Sequence, residues 1–103
     1  MKSVFIQPEG HCFLCDLLGV DAWYSYLETH HIFEGTSNRK KSEKYGLKVK
    51  LCTGHHRGNI NGNRAAVHHN REYADMLHRI GQAKFEETHT REEFRREFGK
   101  SWL

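Results

Sequence analysis

Three cysteines and one histidine form two short motifs of equal spacing. Cys12 and Cys15 are separated by two residues, and so are Cys52 and His55. A two-residue gap allows both side chains to reach one ion, and three thiolates with one imidazole form a closed tetrahedral set that suits structural zinc. A chain of 103 residues has a small core, which a bound metal can reinforce. These four residues are therefore predicted to bind a structural Zn²⁺ ion.

The fourth position of this zinc site has competing candidates. His11 directly precedes Cys12, and His56 directly follows His55, so either ring is close to a predicted ligand along the chain. We favour His55 because its spacing from Cys52 repeats the spacing of the cysteine pair. The alternative is that the cysteines are free buried thiols that act as small hydrophobic residues. That alternative requires the matched spacing to be a coincidence.

Two adjacent histidines, His30 and His31, lie in a run that is otherwise typical of a strand. Residues 23–33 ("WYSYLETHHIF") are rich in aromatic and β-branched side chains. Consecutive side chains of a strand point to opposite faces, so these two imidazoles are poorly placed to chelate one ion together. We therefore expect one of them to bind a metal ion and the other to stay free to accept a proton from water.

The composition indicates a globular protein. Hydrophobic residues make up 37% of the chain and charged residues 28%, and no apolar run approaches the roughly 18 residues that a membrane helix needs. The beginning, "MKSVFIQPEG", lacks the apolar core of a signal peptide. An intracellular location follows, in which the cysteines are reduced and available to metal. The net charge of +3 is modest, so a nucleic-acid partner must be argued from the positions of the charges.

The predicted elements form one domain over residues 1–103, with a motif core at 11–70 and C-terminal helices at 70–103. A helix is predicted from Asn70, and a second one from the Thr90 capping box to Gly99. Before them the sequence predicts a Cys-x2-Cys turn, a strand at 23–33, an exposed basic loop at 34–46, a strand at 47–52 and an irregular glycine-rich segment at 53–70. The side chains predicted to form the core of the helices are Tyr73, Leu77, Phe85, Phe94, Phe98 and Trp102.

Several fragments together resemble the HNH endonuclease family, a branch of the His-Me finger (ββα-metal) nucleases. They are "LETHHIF", "LKVKLCTGHH" and "VHHN", and they span about residues 11–70. The family carries a His-His or Asp-His pair on its first strand, a Leu-Cys-x2-Cys-His run that opens a helix, and often a further histidine. The chain is most similar to small HNH proteins of bacteriophages. The resemblance implies an α+β fold with a ββα-metal core, a zinc knuckle and C-terminal helices.

The resemblance also implies site residues. His30 would bind a catalytic divalent ion (Mg²⁺, Mn²⁺ or another transition metal), and His31 would be the general base. His56 would be a second ligand, and His68 stands where the last family histidine would stand, after a longer insertion than usual. The implied reaction is hydrolysis of DNA phosphodiester bonds, in which His31 deprotonates the attacking water and the ion stabilises the leaving 3′ oxygen.

One family residue has no counterpart at its usual position. The middle Asn of the HNH motif normally lies about five residues before the cysteine, where this chain has Leu47 beside Gly46. The family Asn supports the loop that carries the general base. Asn38, Glu43 and Asn70 are the candidates to replace it, and the sequence does not choose among them.

A group of basic residues follows the histidine pair and continues onto the second predicted strand. Lysines at alternating strand positions share one face, which can line a phosphate track. The alternative is an ordinary solvated charged loop. We expect these residues to contact the DNA backbone without reading its sequence. They are Arg39, Lys40, Lys41, Lys44, Lys48 and Lys50.

Two other functions compete with a nuclease. A zinc-stabilised nucleic-acid-binding module without cleavage activity would tolerate the missing Asn, and a zinc-scaffolded protein-interaction domain would need only the cysteine site. Zinc deaminases are excluded because they require Pro-Cys-x2-Cys, and the single proline is Pro8. The preferred hypothesis is that the protein is a DNA endonuclease in the cytoplasm of a bacterial host cell, with no membrane partner. The apolar C-terminal segment would suit a homodimer contact or a partner protein.

Overall fold

The computed structural model describes residues 1–58 and 66–103 as a small α+β fold. Part of the predicted glycine-rich segment, residues 59–65, lies outside the described residues. The described elements are α1 (Phe13–Leu17), β1 (Glu28–His31), α2 (Thr36–Tyr45), β2 (Lys48–Leu51), α3 (Thr53–His56), a 3₁₀ turn (Val67–His69), α4 (Arg71–Phe85) and α5 (Arg91–Phe98).

The sheet consists of β1 and β2, which pair in antiparallel orientation. In its register His30 lies opposite Val49, and His31 lies opposite Lys48. His30 and Val49 are buried, while the next residue on each strand is more accessible, as the alternation of strand side chains requires. The prediction that the adjacent histidines occupy opposite faces is therefore confirmed.

The first strand is shorter than the prediction of residues 23–33. Residues before Glu28 do not pair with β2, because they cover the cysteine cluster instead. The Tyr24 amide donates a hydrogen bond to the Gly10 carbonyl at 2.9 Å, and the Trp23 indole lies directly over Gly10. A side chain at Gly10, whose φ is +79°, would collide with that indole. Aromatic content alone did not distinguish a strand from this covering segment.

The prediction of an exposed basic loop at residues 34–46 is wrong, because most of this segment forms α2. Arginine, lysine and glutamate favour helices, and the segment contains several of them. Ser42 holds the helix against the end of β1: its hydroxyl accepts a hydrogen bond from the Phe33 amide and donates one to the Phe33 carbonyl, both at 3.0 Å. Gly46 ends the helix in the left-handed conformation, with φ +69°.

The irregular segment predicted at 53–70 also contains regular structure. Cys52 precedes α3, which is a single turn from Thr53 to His56, and Val67 begins the 3₁₀ turn. Both are too short to produce a helical periodicity in the sequence.

The two C-terminal helices form much of the core, as predicted. Their residues Leu77, Phe85, Phe94 and Phe98 are buried, whereas Tyr73 and Trp102 are partly buried. The capping box that was predicted at the start of α5 is present, and Gly99 ends that helix. Among the described residues no helix has the length and apolar character needed to cross a membrane.

Gly81 allows α4 to approach the end of β1 closely. A Cβ at this position would lie 3.0 Å from Ile32 Cγ2 and 3.1 Å from Phe33 Cε2. Glycine within a helix costs about 1 kcal/mol relative to alanine. Close packing against the residues that follow His31 accounts for its presence here.

Candidate metal centres

The first candidate metal centre is a buried cluster of three cysteines and one histidine. Nδ1 of His55 lies 3.5 Å from Cys12 Sγ, 3.4 Å from Cys15 Sγ and 3.5 Å from Cys52 Sγ. Ligand bonds of about 2.3 Å for sulfur and about 2.0 Å for nitrogen place tetrahedral S and N ligands about 3.5 Å apart. The distances from His55 to the three sulfurs match this value, and the cluster could hold a metal ion such as zinc.

The surroundings of this cluster suit a structural ion more than a reactive one. All three cysteines are buried, and burial is the main reason why the pKa of the Cys12 thiol rises to about 12. Zinc binding would replace the thiol protons. Tyr24 closes one side of the cluster with its hydroxyl 3.2 Å from Cys15 Sγ, and this hydrogen bond is the main cause that raises the pKa of Tyr24. Four protein ligands leave no position for a substrate.

The structure resolves the choice of the fourth ligand in this cluster. His11 turns away from the sulfurs, and its Nδ1 lies 3.0 Å from Asp16 Oδ1. His56 is the next residue after His55 on α3, but it points to a different group of side chains. His55 alone of these three histidines groups with the cysteines.

The second candidate centre is a cluster of three imidazoles. His30 comes from β1, His56 from α3 and His68 from the 3₁₀ turn, and one ring nitrogen of each lies within 4.8 Å of the others. Their ring centroids are separated by 4.9 to 5.3 Å. The three residues that the family resemblance assigned to a second ion therefore lie together in a group that could hold a metal ion.

His30 is the buried member of this cluster. Its side chain is only 2% exposed. Burial, and then the neighbouring His68 and His56 rings, lower the pKa of His30 to about 3. The ring is therefore neutral at physiological pH and has a lone pair to offer. A neutral imidazole is the form that binds metal.

Glu28, which the sequence analysis did not single out, holds His56 in position. A Glu28 carboxylate oxygen lies 2.7 Å from His56 Nδ1, and Arg57 forms an ion pair with the same carboxylate. This contact engages Nδ1 and leaves His56 Nε2 as the ring nitrogen that could bind an ion. Arg57 and then His56 lower the pKa of Glu28 to about 2, so the carboxylate stays ionised. Carboxylates that accept a hydrogen bond from a histidine fix its orientation and increase its basicity as a ligand.

We expect Glu28→Gln to weaken ion binding at the three-histidine cluster by about 10- to 100-fold. The glutamine amide is uncharged, so it is a weaker acceptor than the carboxylate and orients the His56 ring less firmly. Isothermal titration with Mn²⁺ would measure this change in protein whose cysteine site is already loaded with zinc. Glu87→Gln is a suitable control, since Glu87 pairs with Lys84 on the surface. Equal Mn²⁺ affinities of the Glu28 variant and the wild type would contradict this role.

His31 lies outside both clusters and contacts an acidic residue of α2. Its Nε2 is 2.9 Å from Glu43 Oε1, while Lys48 Nζ lies 2.7 Å from the other oxygen of Glu43. Lys48 and then His31 lower the pKa of Glu43. The side chain of His31 is 15% exposed. With Nε2 directed to the carboxylate, Nδ1 of His31 is the remaining nitrogen that can accept a proton.

Two neighbouring cavities lie beside these histidines. One, of about 250 Å³, is lined by the three-histidine cluster together with His31 and Arg39. The other, of about 550 Å³, is lined by His31, Arg39, Lys40 and Glu43. His31 and Arg39 line both cavities, and the two together are called the cleft below.

Only some of the predicted phosphate-binding cations lie at this cleft. Arg39 and Lys40 line it. Lys41 donates a hydrogen bond to the Glu97 carbonyl, and the Lys44 ammonium lies 5.1 Å from the centroid of the Tyr45 ring.

The two lysines of β2 point to the accessible face of the sheet, as predicted, but have different surroundings. Lys48 is occupied by its ion pair with Glu43, and Lys50 lines a separate cavity beside Trp23 and Tyr26. The six predicted basic residues therefore do not form one continuous track, and of these six only Arg39 and Lys40 line the cleft.

The chain was compared with protein-family models, curated proteins and solved structures. None of the family models matches it, and neither a curated protein nor a solved structure does. The geometry of the described side chains is therefore the basis for any functional conclusion.

Proposed function

We propose that this protein is a metal-dependent endonuclease of the HNH type that hydrolyses DNA phosphodiester bonds. The observation that carries the proposal is the opposite orientation of two adjacent histidines beside one cleft. His30 joins His56 and His68 around a common point. His31 instead faces the cleft that Arg39 also lines. One ring is thus available to a cation, and its neighbour is available to a water molecule.

The order of elements supports a ββα-metal core. The first strand carries His30 and His31, the second strand pairs with it, and α3 follows with His56. The ion would be held by the three imidazoles, and it would supply charge neutralisation at the phosphate and at the leaving oxygen. Arg39 would bind a phosphate oxygen at the cleft, for which a guanidinium has the appropriate paired donors.

Glu43 is the residue best placed to replace the missing family Asn. Of the three candidates, Asn70 accepts a hydrogen bond from the Tyr73 amide at the start of α4, and Asn38 lies on α2. Glu43 contacts His31 directly at 2.9 Å. A carboxylate on Nε2 would orient the ring and stabilise its protonated form after it has accepted a proton from water. Glu43 is therefore proposed as a positioning residue.

A catalytically inactive nucleic-acid-binding module is the second candidate. It is favoured by the departure from the family pattern at Leu47 and by the finding that only two of the six predicted cations line the cleft. The cysteine cluster serves both candidates equally, because a structural ion has no part in the reaction.

A plasmid assay tests the proposed function. Supercoiled DNA is incubated with zinc-loaded protein and Mg²⁺, Mn²⁺, Co²⁺ or Ni²⁺, with His30→Ala as the variant that lacks a ligand of the second ion. We expect nicking that depends on the added ion, is lost in the variant, and leaves 5′-phosphate and 3′-hydroxyl ends. Retarded migration of DNA without nicking under every ion would instead support the binding module. If the protein neither binds nor nicks DNA, both candidate functions are refuted.

A further inference from the structure

Glu34 lies at the three-histidine cluster although it belongs to no family motif. It follows the end of β1, four residues after His30, and its side chain is 45% exposed. Its Oε1 atom lies 3.0 Å from Nδ1 of His68 and 3.8 Å from Nε2 of His30. Glu34 also lines the smaller cavity together with the three imidazoles.

These distances are those of ligands that share one cation. With metal bonds of about 2.0 to 2.1 Å, adjacent ligand atoms lie about 3 Å apart and opposite ones about 4 Å apart. The separations of 3.0 Å from His68 and 3.8 Å from His30 fall within this range. Glu34 is not part of the group of ligand atoms that lie within 4.8 Å of one another, so its exposed side chain would have to turn toward His56 to join the site. We propose that Glu34 is a fourth protein ligand of the second ion, which completes a three-histidine, one-carboxylate site. This inference rests on the ion site of the proposed function.

The hydrogen bond with His68 does not by itself explain why Glu34 also approaches His30. The side chain of His30 is buried, and at 3.8 Å its Nε2 atom is too far from Glu34 for a hydrogen bond. A solvent-accessible carboxylate that lies between His68 and a buried imidazole suits a cation shared by the three side chains.

The carboxylate has a consequence for which ion permits catalysis. Zinc with four protein ligands is tetrahedral and closed, whereas a six-coordinate ion keeps two positions for water and a phosphate oxygen. Mn²⁺, Co²⁺ and Ni²⁺ accept mixed imidazole and carboxylate ligands in higher coordination. The site is therefore suited to these ions, and Zn²⁺ at the second site would exclude substrate.

Cobalt absorption spectroscopy tests this assignment without relying on activity. Protein with zinc in the cysteine site is titrated with Co²⁺, and the absence of thiolate charge-transfer bands shows that cobalt has not entered that site. Glu34→Gln and Glu34→Ala are compared with the wild type and with Glu92→Gln, a control at an exposed residue of α5. We expect both Glu34 variants to bind Co²⁺ at least about tenfold more weakly and to change its d–d spectrum, and the control to match the wild type.

The outcomes separate this inference from the proposed function. Wild-type affinity in the Glu34 variants, or weaker affinity with an unchanged spectrum, would overturn Glu34 as a ligand and leave the nuclease proposal intact. A changed spectrum in a protein that does not nick DNA would support the ligand and refute the nuclease. Failure of the wild type to bind Co²⁺ beyond its zinc would overturn both.

Discussion

Replacement of Cys52 by serine is expected to unfold the protein at neutral pH. Structural zinc in small domains contributes on the order of 10 kcal/mol, while the net stability of a domain is only about 5 to 15 kcal/mol. Loss of one thiolate from a four-ligand site removes most of the zinc contribution. The remaining ligands, Cys12, Cys15 and His55, would be left beside Tyr24 with one ligand of the ion missing. Circular dichroism during thermal unfolding, together with zinc analysis of the purified protein, measures the effect.

A control for this variant is available next to the cluster. His11→Ala removes an imidazole that neighbours Cys12 but contacts Asp16 instead of the sulfurs. It should keep one zinc ion per cysteine cluster and a melting temperature close to that of the wild type. Strong chelation of the wild type should reproduce the unfolding of Cys52→Ser, and added zinc should reverse it. A Cys52→Ser protein that keeps both its zinc and its melting temperature would show that the cysteine site is misassigned.

The dependence on this cluster follows from what it joins. Cys12 is the N-cap of α1 and Cys15 lies within that helix. Cys52 follows β2, and His55 lies on α3. Ser3 and Gln7 also form hydrogen bonds with the backbone of β2, but the three cysteines are part of the hydrophobic core itself. Removal of the ion would leave three elements without their common attachment.

Local spacing predicted the parts of the site that depend on local geometry. Two equal two-residue gaps identified Cys12, Cys15, Cys52 and His55, because a turn fixes which side chains can meet. The period of a strand likewise predicted that His30 and its neighbour face opposite sides. The Thr90 capping box was predicted for the same reason, since it needs only the four-residue segment from Thr90 to Glu93.

Tertiary contacts decided what the sequence could not show. Residues 23–27 have a strand-like composition, but they cover the cysteine cluster through Tyr24. Residues 34–46 contain turn formers, but the contact of Ser42 with Phe33 holds them as a helix against the sheet. Both partners in each case are distant enough along the chain that no local pattern predicts their contact.

The acidic residues around the histidines differ in whether the sequence could have predicted their contacts with the imidazoles. Glu28 lies two residues before His30 on the same strand, so the strand period alone places both on one face. Glu34 follows the end of the strand, where no period applies. Glu43 reaches His31 only because α2 packs beside β1, and it therefore remained one of three candidates.

Replacement of His31 by alanine is expected to slow DNA nicking by about 10²- to 10⁴-fold, the contribution of a general base. His31 lines the cleft and its Nε2 atom contacts Glu43, so alanine would remove the proton acceptor of the proposed mechanism. Affinity for the second ion should not change, because His31 is not part of the three-histidine cluster. Initial rates of plasmid nicking at saturating ion, with Co²⁺ titration of the same preparation, measure both quantities.

His69→Ala is the matched control, since His69 is an exposed imidazole beside His68 that does not join the cluster. It should nick DNA at the wild-type rate. The combination of slow nicking and intact ion binding in His31→Ala separates a general base from a ligand, because loss of His30 should abolish both. Nicking at the wild-type rate by His31→Ala would exclude the proposed mechanism even if the ion site is real. Weakened ion binding in His31→Ala would instead mean that His30 and His31 both contribute to binding the second ion.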